Sequence, residues 1–126
     1  MSQEYIPGTC NIGKGEIRRR QVVALAGAVI SATSLIGLLG TDAARSARLS
    51  LFIPLMVFAI GFIQSRKKFC LAYGLAGTFN FGRMGEIKRV NDPISRNADR
   101  KTALTILLQS IALALVVTLV FYFLPI

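Results

Sequence analysis

Three long runs without a charged residue constrain this chain more than any other feature. They cover residues 21–40, 49–65 and 102–124. About 20 apolar residues in a helix, at ~1.5 Å each, cross a hydrocarbon core of ~30 Å. The 126 residues are also 53% hydrophobic, which is more than a soluble domain of this size can hide. The sequence therefore predicts an all-α membrane protein that forms a single domain, 1–126, with three transmembrane helices.

The segments beside the second run are less regular than the runs themselves. Pro54 lies early in 49–65, where a helix tolerates a missing backbone donor, so we expect it in the first turn. The apolar stretch 69–77 is too short to cross a membrane, and Phe69 and Tyr73 lie one helical turn apart. This pattern favours an interfacial segment, with a re-entrant loop as the alternative.

The third run follows a polar connector, and its helix needs a cap. We expect Asn97 or Asp99 to be its N-cap, because short polar side chains satisfy the first backbone donors of a helix. Phe121, Tyr122 and Phe123 then close the run with aromatic side chains, which favour a membrane interface. The third helix is therefore predicted to span 102–124.

Basic residues are distributed very unevenly between the runs, and this distribution predicts orientation. Three spans place the N-terminus and the long connector on one side. Thirteen of the 15 basic residues lie on that side, and only Arg45 and Arg48 lie on the other. Lys and Arg accumulate in cytoplasmic loops. The pattern predicts a multi-pass inner (plasma) membrane protein with a cytoplasmic N-terminus and an external C-terminus.

One polar segment occurs twice, at 8–20 and at 77–90, with Met84 as the single inserted residue. The identical positions of the two copies pair as Gly8 with Gly77, Thr9 with Thr78, Asn11 with Asn80, Gly13 with Gly82, Gly15 with Gly85, Glu16 with Glu86, Ile17 with Ile87, and Arg19 with Arg89. Because an even number of spans separates the copies, both are predicted on the cytoplasmic side.

Polar and apolar residues alternate within each copy, which is typical of a short strand on an apolar surface. The two copies are therefore expected to form short extended segments that pair or flank one another. Glycine turns beside basic residues can also hold an anion, such as a lipid headgroup. The candidate partner- or anion-binding residues are Thr9, Asn11, Gly13, Gly15, Glu16, Arg18, Arg19, Thr78, Asn80, Gly82, Arg83, Gly85, Glu86, Lys88 and Arg89.

A simpler interpretation of the repeat stays open. In it the glycines only make turns, the basic residues only flank membrane spans, and Glu16 and Glu86 pair with nearby arginines. The segment GKGE is not a nucleotide-binding P-loop, because the required spacing and the final Lys-Ser or Lys-Thr are absent.

The membrane runs contain small and polar residues that predict helix packing. Three pairs spaced by four residues occur in the first run, and this spacing lets helix backbones approach closely. The pairs are Gly27 with Ser31, Ala28 with Ala32, and Thr33 with Gly37. Gln109 in the third run is expected to hydrogen-bond a neighbouring helix, with pore lining as the alternative.

The sequence contains little that indicates a catalytic or metal-binding site. The chain has no His, and Cys10 and Cys70 lack metal-ligand spacing, so we expect packing thiols and no metal or cofactor. The runs contain no ionisable residue, which argues against ion-coupled transport. The net charge of +9 comes without a nucleic-acid recognition pattern. We predict no enzymatic activity and no nucleic-acid partner.

The sequence therefore favours a small multi-pass membrane protein that is a structural or accessory subunit. It would self-associate, or dock on a larger membrane complex, through its first helix and the double motif. A homo-oligomeric pore or passive transporter is one alternative, and a protein that binds anionic lipid headgroups is another. In each case the expected partners are the bilayer and other membrane protein subunits.

Overall fold

The computed structural model describes residues 5–81 and 87–125. Its elements are α1 (Lys14–Gly40), a 3₁₀ helix (Arg45–Leu51), α2 (Phe52–Lys67), α3 (Leu71–Ala76), β1 (Thr78–Phe79), β2 (Lys88–Arg89) and α4 (Pro93–Phe123). Three helical stretches are long and apolar enough to cross a membrane: α1, Arg45–Lys67 and α4. The prediction of a mostly helical chain with three such helices is confirmed. Pro54 lies in the first turn of α2, as expected.

Helices α1 and α4 begin well before their apolar runs. They contain 27 and 31 residues, which is about 40 Å and about 46 Å of helix. The first starts at Lys14, inside the first motif copy, and the second starts at Pro93. Asp92 caps α4 by accepting a hydrogen bond from the backbone two residues on, at 3.3 Å. The predicted cap at Asn97 or Asp99 is wrong, because Pro93 already supplies a helical φ at the first position.

Helix α2 lies between α1 and α4 and packs against both, whereas α1 and α4 barely touch. Two glycines allow α1 and α2 to approach closely. A Cβ on Gly27 would lie 2.5 Å from the backbone nitrogen of Phe58, and one on Gly61 would lie 2.7 Å from that of Ala24. Any larger side chain at either glycine would push the two backbones apart.

Among the described residues, the buried apolar side chains form two small clusters and not one continuous core. One contains Leu51, Leu55 and Ala114; the other contains Phe69, Ala103 and Ile106. The Phe69 ring is fully buried against α4 and so does not face lipid, while the interfacial position of 69–77 stays a prediction. Many other apolar side chains of the long helices are exposed, among them Leu25, Ile36, Leu108 and Val116. These helices present apolar surface outward, as a lipid-facing bundle does.

The two ends of the bundle differ in chemistry. The start of α1, the end of α2 and the start of α4 meet at one end, here named the cationic end. It carries Lys14, Arg18, Arg19, Arg66, Lys67, Lys68, Arg96, Arg100 and Lys101. At the opposite end Arg48 is buried, and its guanidinium donates to the carbonyls of Phe121 and Leu124 at 3.0 Å each. Arg48 thereby satisfies carbonyls at the C-terminus of α4, which have no partner within the helix.

Candidate functional site

The two motif copies meet at the cationic end, in a contact we name the motif junction (Asn11–Gly13 with Asn80). The Asn80 backbone N–H donates to the Asn11 carbonyl at 2.9 Å, and the Gly13 N–H donates to the Asn80 carbonyl at 2.9 Å. These bonds form a parallel bridge between Ile12 and Asn80. A second, antiparallel pairing joins β1 to β2, with Thr78 opposite Arg89. Extended segments of both copies therefore form one small hydrogen-bonded unit.

Asn11 connects the motif junction to the segment between α2 and α3. Its side-chain oxygen accepts from the Cys70 N–H at 2.7 Å, and its amide nitrogen donates to the Cys70 carbonyl at 3.2 Å. Its own backbone N–H donates to the Lys68 carbonyl at 3.2 Å. The side chains of Asn11 and Asn80 are both fully buried. A partner could therefore reach neither amide without opening the fold.

Glu16 is a buried carboxylate in the first turn of α1, where the helix dipole favours negative charge. Its Oε2 accepts a hydrogen bond from the Tyr73 hydroxyl at 2.7 Å and lies 3.1 Å from the Arg20 guanidinium. Burial raises the pKa of the Tyr73 phenol, and the hydrogen bond to Glu16 and the charge of that carboxylate raise it further. Glu16 Oε1 has no hydrogen-bond partner in the part of the chain described above.

Arg20 links this carboxylate to a cysteine. Its second guanidinium nitrogen lies 2.9 Å from the Cys70 sulfur, and the guanidinium sits 5.7 Å from the centre of the Tyr73 ring. A cavity of about 430 Å³ lies alongside, lined by apolar Val23 and Ile60 as well as by these polar groups. The ion pair lies within α1, and the bonds from Tyr73 to Glu16 and from Arg20 to Cys70 hold α1 against α3 and its N-cap.

A second tyrosine–carboxylate contact joins Tyr5 to Asp99 of α4. The Tyr5 hydroxyl donates to Asp99 of α4, and the Gly8 N–H donates to the other carboxylate oxygen at 2.7 Å. The Tyr5 ring stacks on Phe79, with ring centres 4.8 Å apart. Burial raises the pKa of Tyr5, and the hydrogen bond to Asp99 and that charge add to the effect. This contact connects the first copy to both the second copy and α4.

The remaining candidate residues of the double motif divide into surface positions and undescribed ones. Thr9, Gly15, Arg18, Arg19, Lys88 and Arg89 are exposed, Gly13 is buried, and Thr78 is half-buried. Gly82, Arg83, Gly85 and Glu86 lie outside the described residues. A ligand from solution or from the bilayer surface can thus reach the cations but not the asparagines.

The helix-packing candidates are also divided. Gly27 and Ser31 face α2, and Ser31 donates to the Gly27 carbonyl at 2.7 Å. Ala28 is half-buried, whereas Ala32, Thr33 and Gly37 are exposed. Gln109 is exposed on α4. One face of α1 is therefore used within the chain, while a second small-residue face remains uncovered.

Sequence reasoning did not single out Arg20, Tyr5 or the hydrogen bond of Tyr73, and it named Asp99 only as a candidate helix cap. Arg20 follows Glu16 by four residues, and that spacing on a helix is a sequence signal for an ion pair. Tyr5 and Asp99 are 94 residues apart, and no local pattern connects them.

The described residues contain no cluster of three or more His, Cys, Asp or Glu side chains that could hold a metal ion. The buried polar groups instead bond to one another and to the backbone, and these bonds stabilise the contacts between the helix ends.

Comparisons with protein-family models, curated proteins and solved structures found no match for this chain.

Proposed function

We propose that this chain is a non-enzymatic, three-span membrane protein that serves as a structural or accessory subunit. It self-associates, or docks on a larger membrane complex, through the outer face of α1. The observation that carries this proposal is the uncovered small-residue face of that helix. The orientation proposed from the basic residues places the motif junction in the cytoplasm and the C-terminus outside an inner (plasma) membrane.

The uncovered face has a definite geometry. Ala26, Thr33, Gly37 and Gly40 are all exposed. At 3.6 residues per turn they fall within an arc of about 60°, centred about a third of a turn from the Gly27 contact with α2. A Cβ added to Gly37 or Gly40 would meet no atom within 4 Å. Such a surface allows another helix to approach at short range, as the Gly27 face already does within the chain.

The Thr33 hydroxyl on this face does not prevent a tight helix contact that excludes water. The Thr33 hydroxyl donates within its own helix, to the carbonyls of Val29 and Ile30 at 3.0 and 3.1 Å. The face therefore presents no unsatisfied donor to lipid or to a partner helix. Helix association in membranes depends on close packing of this kind, since lipid tails are as apolar as the side chains.

Self-association can be tested by single-molecule photobleaching of the labelled protein in lipid vesicles. We expect more than one bleaching step for the wild type, and weaker association by about tenfold for Gly37→Leu. Ala112→Leu is the control, because Ala112 is exposed on α4 and the substitution places the same leucine side chain on a different helix. Copurification from native membranes tests the docking form. A protein that stays monomeric at all densities and retains no partner would contradict the proposal.

Binding of anionic lipid is a second candidate function, favoured by the exposure of Arg18, Arg19, Lys88 and Arg89. Replacing Arg19 and Arg89 by Ala should then weaken lipid retention. A pore is the third, and exposed Gln109 with Thr105 one turn earlier would line it. Vesicle flux that is unchanged in Gln109→Leu would remove Gln109 from such a role.

A further inference from the structure

A small polar cavity lies at the cationic end, between the end of α3 and the start of α4. Its volume is about 120 Å³, and it is lined by Ala76, Gly77, Arg89, Val90, Asn91 and Arg96. That volume corresponds to about four water molecules at ~30 Å³ each. A group of about five heavy atoms fits this space, whereas a nucleoside does not.

Two arginines from different elements converge on this cavity. Arg89 belongs to β2, which is held in place where Val90 N–H donates to the Gly77 carbonyl at 2.8 Å. Arg96 lies in the first turns of α4, with its backbone N–H donating to the Asp92 carbonyl at 3.0 Å. Hydrogen bonds therefore fix the backbone at or next to both arginines.

Gly77 determines where the Arg96 side chain can lie. This glycine ends α3 with φ +72°, a left-handed conformation that glycine adopts without strain. A Cβ at this position would lie 2.8 Å from Cδ of Arg96. The arginine stem thus lies across the bare glycine, beside the cavity.

Neither arginine is neutralised by a carboxylate within 4 Å among the described residues, in contrast to Arg20, which pairs with Glu16. An acidic group close to Arg96 is the Asp92 carboxylate. Its hydrogen bond from Ser95 lowers its pKa most, and the charge of Arg96 contributes less. Asp92 is occupied as the cap of α4, where it accepts from Ser95 at 2.8 Å. Two cationic residues thus line one small cavity, and the described residues place no carboxylate in direct contact with either, so a bound anion would relieve their repulsion.

We propose that this cavity binds a phosphate group between Arg89 and Arg96. Planar guanidinium groups present paired donors that match phosphate oxygens, and bonds of this type are among the stronger ones in proteins. Asn91 adds an amide to the same wall. The site is independent of the proposed self-association through α1, because none of its residues lies on that helix.

The expected position of the cavity relative to the membrane is compatible with two sources of phosphate. Arg96 precedes the apolar part of α4, which starts at residue 102, by six residues, or about 9 Å of helix. The headgroup layer extends roughly 5–7 Å beyond the hydrocarbon on each side. The site therefore lies at the outer border of the headgroups, where both lipid phosphate and free phosphate are present.

The test uses the full chain and two probes. Calorimetric titration with inorganic phosphate in low-chloride buffer measures free phosphate. Native mass spectrometry after reconstitution in nanodiscs of phosphatidic acid or phosphatidylcholine measures lipid retention. Arg89→Gln and Arg96→Gln should each weaken binding about tenfold, and Arg89→Lys should lose part of that affinity although its charge is kept. Arg100→Gln is the control, since Arg100 is exposed on the same helix, carries the same charge and does not line the cavity.

Each outcome decides the proposal. Weaker binding in both probes identifies a site open to free phosphate, and weaker retention of phosphatidic acid alone identifies a lipid headgroup site. If Arg89→Gln and Arg96→Gln bind both probes as well as Arg100→Gln does, the proposal is overturned. Circular dichroism of every variant confirms that the helices are intact. A loss of phosphate binding with unchanged photobleaching would separate this site from the α1 interface.

Discussion

The two motif copies share most of their residues but differ in structure at their basic ends, Ile17–Arg19 and Ile87–Arg89, where both are described. In the first copy, α1 begins at Lys14 and continues through the basic residues. In the second, Lys88 and Arg89 are extended and pair with Thr78 and Phe79. The same pair of basic residues is therefore helical in the first copy, at Arg18 and Arg19, and a strand in the second, at Lys88 and Arg89, so local residue preference does not decide its structure.

The residues that follow each copy explain the difference. The first copy runs directly into the apolar segment 21–40, and packing of that helix on α2 extends helical structure backward. The second copy runs into Asp92 and Pro93, which start a new helix at Pro93. A residue before proline is disfavoured in the helical region, so helix cannot extend backward from α4 into the copy. The last aligned position also differs between the copies. In the first copy it is Arg20, which forms an ion pair, and in the second it is Val90, which is buried.

Other features are the same in both copies. Gly8 and Gly77 occupy the same motif position and have φ values of +70° and +72°. Asn11 and Asn80 are both fully buried. A tyrosine shortly before each copy donates to a buried carboxylate, Tyr5 to Asp99 and Tyr73 to Glu16. The repeat therefore specifies a turn and a buried amide, and the context specifies what comes next.

Proline substitution should give the largest difference in stability between the two copies. Ile17 donates its backbone N–H to the Gly13 carbonyl at 3.0 Å in the first turn of α1. Ile17→Pro removes this bond and should cost about 3 kcal/mol. Ile87 is exposed and lies outside the helices and strands, so Ile87→Pro should cost less than about 1 kcal/mol. Unfolding in detergent, followed by circular dichroism, measures both. Equal losses would show that the copies do not differ as described.

Replacing the buried asparagine should have the next largest effect. Asn11→Ala removes two side-chain bonds to Cys70 and leaves the buried Cys70 N–H unsatisfied, whereas the Cys70 carbonyl still accepts from the Gly74 N–H. We expect a loss of about 2–3 kcal/mol in unfolding free energy. Asn97→Ala is the control, because Asn97 is exposed on α4 and should change stability by about 0.5 kcal/mol or less. A similar small effect at Asn11 would mean that the motif junction contributes little.

The equivalent glycines should respond alike and more weakly. Gly8→Ala and Gly77→Ala each force an alanine into the left-handed region, which costs about 1–2 kcal/mol. Steric contacts differ, since the new Cβ meets the Ala98 side chain at 3.3 Å in one case and the flexible Arg96 stem at 2.8 Å in the other. Thermal unfolding of the two variants compares them directly. A loss in only one variant would show that the turn is not equivalent in the two copies.

The tyrosines should give the smallest effect, and it depends on pH. Tyr5 and Tyr73 have pKa values raised above the ordinary value of about 10, mainly by burial. Their contribution to stability is complete below pH about 10 and is lost as pH rises through the folded-state pKa values. Tyr5→Phe and Tyr73→Phe should each cost about 1 kcal/mol at pH 8 and reduce the alkaline loss. Unfolding midpoints between pH 8 and 11 test this, and an unchanged alkaline loss in both variants would contradict it.

Part of this architecture could be read from individual segments of the sequence. The charge-free runs located the three long helices, because an apolar run of that length has few other stable states. They did not locate the helix starts, since Lys14 and Pro93 lie in polar sequence whose structure depends on packing and capping. The burial of Phe69 had no signal in the sequence, because it depends on contact with Ala103 and Ile106 of α4.

The sequence by itself determined that this chain has three helices long and apolar enough to cross a membrane, a strong charge asymmetry and a repeated glycine–asparagine motif. These are properties of composition, length and local backbone freedom. Only the tertiary structure decided that Asn11 bonds to Cys70, that Asp99 receives Tyr5, and that Arg89 and Arg96 share a cavity. Asn11 and Cys70 are 59 residues apart and Tyr5 and Asp99 are 94 apart, so only helix packing brings them into hydrogen-bonding range. Arg89 and Arg96 are close in the chain, but their shared cavity forms only where β2 and the start of α4 meet the end of α3.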